Sequence, residues 1–297
     1  MIAGVDPVDG IRVMLGHEYI RHALLAGTFV AAPAGLVGYF VVLRNQVFAG
    51  EALGHVAFTG VLAAFAFGVD PLLGLFSSTV VGAAVVGALE GRGRGRDVVV
   101  GTVFAWILGL GVLFLSLYTT SRSSADGTAG IKALFGSING LSLRQAVVAA
   151  AVGTAATAAL AIIVRPLLFA SLDPDVAAAR GIPVRILGLA FLALLGITVA
   201  EAVQVIGALL ILALLVTPAA AAQLLTARPY AALVLSGALS VTFLWLGLTL
   251  SYTFQRIPAS FLIVALAFAT YVAAVSLRAA TARRAHQVRS RVSAASA

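Results

Sequence analysis

The feature that most constrains this chain is repetition: long apolar runs follow one another from Ile20 almost to the C-terminus, with charges nearly confined to the gaps between them. A helix needs about 20 predominantly apolar residues to cross a bilayer. Breakers delimit nine such stretches here: 20–43, 53–69, 72–89, 98–117, 146–169, 186–200, 203–225, 231–252 and 258–277. Runs that recur this way are spans rather than one cleaved signal segment. A backbone in hydrocarbon must satisfy its own hydrogen bonds, which predicts helices, and the alternation of a membrane barrel is not seen. The expected fold is all-α: a polytopic transmembrane helical bundle with about nine spans. It divides into an extracytoplasmic segment over 1–19, a membrane domain over 20–277 and a basic cytoplasmic tail over 278–297. The second and sixth spans fall short of a full crossing, so they are expected to be tilted, shielded by neighbours or partly broken.

Composition agrees. Of 297 residues, 61% are hydrophobic and 10% charged, and the mean hydropathy is +1.09. A soluble domain carries about 25% charged residues, so the solvent of this chain is mostly lipid. Its net charge of +8 and pI near 10.8 belong to loop Lys and Arg that set membrane orientation; no nucleic-acid partner is expected. If odd spans run outside to inside, 13 of the 19 Lys and Arg face the inner side and 6 the outer. That excess puts the N-terminus outside and the C-terminus in the cytoplasm of a multi-pass cell-membrane protein. Gly and Ala within the spans permit close helix packing, and Pro33 and Pro218 are expected to bend theirs. The Ser/Thr-rich stretch 119–128 reads as a flexible outer loop. The tail from Arg278 reads as a disordered segment at the anionic inner leaflet.

With so few charges, elimination becomes informative. Nine of the 11 acidic residues fall in loops or termini, which leaves Glu51 and Glu201 near or within spans. An acid inside a membrane is a functional-site hypothesis by default. In Gly50-Glu51-Ala52-Leu53-Gly54-His55 the carboxylate and imidazole are four residues apart, on one face if the segment is helical. Oxygen with imidazole nitrogen suits zinc or manganese, and two copies about a dimer axis would offer up to four ligands. The alternative is an interfacial helix start with Glu51 solvated and His55 hydrogen-bonded. Glu201, three residues before Gln204, falls at an expected outer turn between spans six and seven. It reads either as a weaker metal-path or gate candidate or as a solvated turn glutamate. Glu18 and His22 repeat the four-residue spacing at a solvated helix end. The chain has no cysteine, and its one lysine, Lys132, lies in a loop. It carries neither a thiolate site, nor a paired-histidine zinc-protease motif, nor a phosphate-binding loop. An ATP-driven mechanism would therefore need ATP on another subunit.

Three stretches match something known. They are Val41-Val42-Leu43-Arg44 with Gly50 to Val56; Leu172-Asp173-Pro174-Asp175 through Arg180-Gly181-Ile182; and Val203 to Leu210 with Leu214 to Ala220. With these, the chain resembles the permease subunits of ABC importers for zinc, manganese or iron, from Tyr19 to Leu277. The resemblance implies a transporter subunit rather than an enzyme, working by alternating access. It implies a second permease copy, cytoplasmic ABC ATPase subunits and an extracytoplasmic metal-binding protein as partners. No cofactor is bound permanently; a divalent metal ion is the cargo and ATP binds the partner. By the same resemblance Glu51 and His55 stand at positions linked to metal passage, with Glu where the family usually has Asp and Gly54 where it usually has Ser. Leu172, Asp173, Pro174, Arg180 and Gly181 belong to the segment that couples to the ATPase. Asp173-Pro174 also reads locally as a helix start and Gly181 before Pro183 as a stop. Alternatives are a permease for a metal chelate or siderophore, and an ion-coupled secondary transporter.

Overall fold

The computed structural model describes residues 16–89, 96–121, 142–254 and 256–295. Residues 1–15 of the N-terminal segment, and 122–128 of the expected outer loop, lie outside the described residues. In order, the elements are α1 (Glu18–Leu43), α2 (Val47–Phe67), α3 (Pro71–Leu89), α4 (Arg96–Ser121), α5 (Leu143–Leu172), the short α6 (Pro174–Ala179) and α7 (Val184–Ile206). A 3-10 turn (Ala208–Leu210) follows, then α8 (Ile211–Leu215), α9 (Thr217–Leu225), α10 (Pro229–Thr253) and α11 (Ala259–Ala295). Eight of these helices are long and apolar enough to cross a membrane, and the stretch Ile211–Leu225 is a shorter apolar helix. No strand is present among the described residues.

Local chemistry explains the ends. Ser142 caps α5 through a reciprocal pair with Gln145, which satisfies two backbone donors that the helix leaves free. Proline opens α6, α9 and α10 within their first two positions, where its missing N–H costs nothing. Asp70 accepts a hydrogen bond from the Leu72 amide at 2.8 Å in the tight turn into α3.

The bundle is layered by burial. In α1, α2 and α7, 67% of the apolar window is buried, against 11% in α4 and 17% in α11. The first three are therefore the centre and the last two a rim facing lipid or a partner. Centre helices approach closely because small residues line them. A side chain on Gly38 of α1 would run into the carbonyl of Leu215, and Gly60 and Gly74 bring α2 and α3 together backbone to backbone. Buried hydroxyls tie the layers: Ser236 donates to the Gly35 carbonyl at 2.6 Å and Ser240 to that of Leu214 at 2.9 Å.

Three expectations change in detail. The second and sixth spans are unbroken helices of 21 and 23 residues. The second starts at Val47 rather than at 53, so Glu51 and His55 both lie on it. The sixth runs through the expected turn at 201–202 and stops at Gly207, whose φ of 88° and ψ of 161° belong to a region open essentially only to glycine. Hydropathy reads a gap at Glu201, but a buried polar side chain does not end a helix; this glycine does. The seventh stretch is the interrupted one, assembled from the 3-10 turn, α8 and α9. The expected disorder of the tail is also corrected, since α11 continues as helix to Ala295. Its Ala and Arg are strong helix formers, and the preceding span already provides the nucleus that an isolated helix lacks.

Candidate functional site

Because α2 begins at Val47, Glu51 and His55 are one helical turn apart on the same face. Their side chains meet: His55 Nε2 lies 3.3 Å from Glu51 Oε1, with the imidazole 14% and the carboxylate 27% exposed. The second oxygen, Glu51 Oε2, is buried without a hydrogen-bond partner. The His55 ring is held edge to face by Phe104 of α4, with centroids 5.0 Å apart, and Phe48 packs on the same phenyl ring at 6.0 Å. Aromatic packing of this kind fixes the imidazole plane without taking either nitrogen.

The adjacent face of α2, about 100° round the helix, rests on the interrupted segment. A methyl group on Gly50 would sit 3.1 Å from Leu215, and one on Gly54 would sit 3.5 Å from Ile211 and 3.6 Å from the Ala208 carbonyl oxygen. The two glycines let the segment after Gly207 press against the helix that carries the acid and imidazole. Among the described residues no three His, Cys, Asp or Glu side chains come together. One chain thus offers a carboxylate and an imidazole, half of the four ligands typical of zinc.

The other candidates separate. Glu201, expected at an outer turn, lies inside α7 and is 1% exposed. Gln204 follows one turn later with both amide atoms buried and unpartnered. Glu201 forms no group of three with Glu51 and His55, and one carboxylate with one amide is too few donors for a divalent metal. Glu18, by contrast, is an exposed helix-end residue 3.8 Å from Arg21.

At the other end of α5, Asp173 accepts the Val176 amide at 3.0 Å and caps α6. Gly181 takes a φ of 81° to end the segment. Leu172 and Val176 are exposed while Ala177 is fully buried, so α6 stands on one small residue and presents its other side outward. Arg180 stacks on Phe169 at 5.7 Å. By its place between the first two expected spans, Arg44 is one of the inner-side cations. In the structure its guanidinium lies 5.5 Å over Phe191 of α7, and it donates to Ser171 of α5 at 3.4 Å. It therefore links the ends of α1 and α5 to α7. Nothing in spacing marks that role, because its partners are over a hundred residues away.

Eight helices long and apolar enough to cross a membrane, packed with an interrupted segment and a short outward-standing helix, make this a polytopic membrane protein. A family profile described as the ABC 3 transport family matches residues 16–278, and the chain belongs to that family. It is 30% identical over 195 residues to the manganese transport system membrane protein MntC of Halalkalibacterium halodurans, covering 65% of each chain. It is 27% identical over 247 residues to the manganese import system permease protein ScaB of Streptococcus parasanguinis, covering 83% of this chain and 85% of that one. Among solved structures, PsaBC from Streptococcus pneumoniae in complex with Fab superposes with a TM-score of 0.78 at 28% identity. That match covers 90% of this chain and 94% of the other.

Proposed function

We propose that this permease subunit forms, with a second copy of itself, the membrane path of an ATP-driven importer of divalent metal ions, manganese or zinc. Glu51 and His55 of each copy offer ligands to the passing ion. The observation that carries this reading is the 3.3 Å acid–imidazole contact with a second carboxylate oxygen left unpartnered inside an unbroken span. Two such pairs make a mixed oxygen and nitrogen set suited to first-row metals. A set without thiolates also lets the ion leave, as a carrier requires. Manganese relatives support manganese first. The Lys and Arg excess supports an outer N-terminus and a cytoplasmic C-terminus, with the metal delivered from outside by a binding protein. Reconstituting the permease with its ATPase and binding protein in proteoliposomes tests the reading. ATP-dependent accumulation of manganese or zinc is expected; accumulation of a ferric chelate and of neither free ion would overturn it.

The segment Leu172–Ile182 is then the docking surface for the ATPase. Losing an N-cap costs about 1 kcal/mol, and a non-glycine residue in the left-handed region about 1–2 kcal/mol; either is large for a helix of six residues. Asp173→Ala combined with Gly181→Val should therefore lower the metal moved per ATP hydrolysed several-fold, with the transmembrane bundle intact. Unchanged stoichiometry in proteoliposomes would remove α6 from the coupling.

A further inference from the structure

Glu201 has no role in the path just described, yet it is among the most thoroughly buried polar groups of the described residues. It is 1% exposed, and neither carboxylate oxygen has a hydrogen-bond partner. The carboxylate lies beside the Gly153 backbone of α5. There α5 closes so tightly on α1 that a side chain on Gly153 would strike the Phe29 carbonyl. The free carbonyls at the C-terminal end of α7, one turn beyond, add negative potential. An ionised carboxylate in such a place is strongly disfavoured. A basic side chain, a metal ion or a proton would relieve it.

The elements packed on α7 bring no cation into contact with the Glu201 oxygens: Arg44, at the end of α1, lies instead over Phe191, further back along α7, and donates to Ser171. Arg21 of α1 pairs with Glu18, His55 of α2 with Glu51, and Arg144 of α5 with Asp70. The remaining titratable groups on these elements are Tyr19, His22 and Tyr39 of α1, Arg165 of α5 and Asp175 of α6, with Arg185 on α7 itself; neither Glu201 oxygen has a hydrogen-bond partner among them. The α3 helix, the 3-10 turn and α8 contain no titratable residue. A divalent metal would need at least four donors, whereas a proton needs one oxygen. Gln204, three residues on along the same face, is a neighbour on the helix surface whose amide is itself unpartnered.

We propose that Glu201 is a proton-binding site of the transport cycle. It holds a proton on one carboxylate oxygen while α7 is packed in this arrangement and returns it to water when α7 moves and hydrates the group. The exchange takes one proton from a hydronium ion and later gives one back, so nothing is oxidised or reduced. Only Arg180 to Pro183 separate α6 from α7, so a displacement of the docking segment is passed to the helix that carries Glu201. That cyclic part rests on the coupling role proposed for α6; proton occupancy does not.

Infrared spectroscopy of the permease–ATPase complex in lipid nanodiscs separates the two. The complex should show the carbonyl stretch of a protonated, dehydrated carboxyl group, absent from Glu201→Gln. Identical spectra would overturn the site. Loss of the band on adding manganese chloride at constant pH would also overturn it, because the occupant would then be a metal. If Glu201→Gln does not assemble, Glu201→Asp should move the band, and an unmoved band counts against the site. For the cycle, metal uptake by the wild type should decline at alkaline pH and that by Glu201→Gln should not, since the amide cannot ionise. Superimposable pH profiles would remove the proton from the cycle while leaving the metal path untouched.

Discussion

A permease carrying Glu51→Gln together with His55→Ala should assemble with its ATPase and accumulate no metal. The amide has nearly the shape of the carboxylate but no charge, and the alanine removes the imidazole that meets it. Residues that merely support a metal ligand typically contribute 10–100-fold to affinity or activity, by rough survey. Loss of both proposed ligands should exceed that and reduce radiolabelled manganese uptake to the level of an empty vesicle. Removing His55 leaves space beside Phe104, so co-purification with the ATPase and an unchanged elution volume are the controls for folding. Glu51→Asp keeps the charge but draws it back by one methylene, and should retain partial uptake. Uptake by the double variant at the wild-type rate would end the assignment of these residues to the path.

The largest effect on folding is expected at Gly38. A side chain there meets the carbonyl of Leu215 rather than a movable side-chain tip. That backbone has little room to retreat: Ser240 holds the adjacent Leu214 carbonyl at 2.9 Å, and α2 lies against Leu215 through Gly50. Overpacking where side chains can shift costs about 1–3 kcal/mol; here α1 itself would have to move off the interrupted segment. Against a native stability of order 5–15 kcal/mol, Gly38→Val should abolish a monodisperse complex, and Gly38→Ala should lower its melting temperature by several degrees. Thermal unfolding followed by size-exclusion chromatography measures both. A valine variant that melts with the wild type would show that the α1–α8 contact is looser than the structure has it.

The helical membrane fold was legible because the signal is additive: each span carries some twenty independent votes from side-chain polarity, and charge scarcity reinforces them. The helix ends were read where local chemistry acts, as at Asp173-Pro174 and Gly181. They were misread where the deciding feature was a single backbone conformation. Gly207 looks like any other of the 30 glycines in the sequence, yet its dihedral angles end α7 and start the interrupted segment. The Glu51 and His55 pair could be picked out because four-residue spacing on a helix is a local relation. That α2 begins early enough to hold both, and that Phe104 orients the ring, depends on packing by α4.

Sequence alone therefore determined what lies within a turn or two along the chain. That covers the solvent, the secondary structure, the scarcity of acids and the two candidates that scarcity exposes. The tertiary structure alone decided what depends on distant partners. Arg44 changes from a loop charge to a strut because Phe191 and Ser171 lie beside it. Glu201 changes from a turn residue to a sealed carboxyl because α5 and α1 close over it. A side chain's polarity is its own property, but its burial is set by neighbours that hydropathy along one chain cannot see.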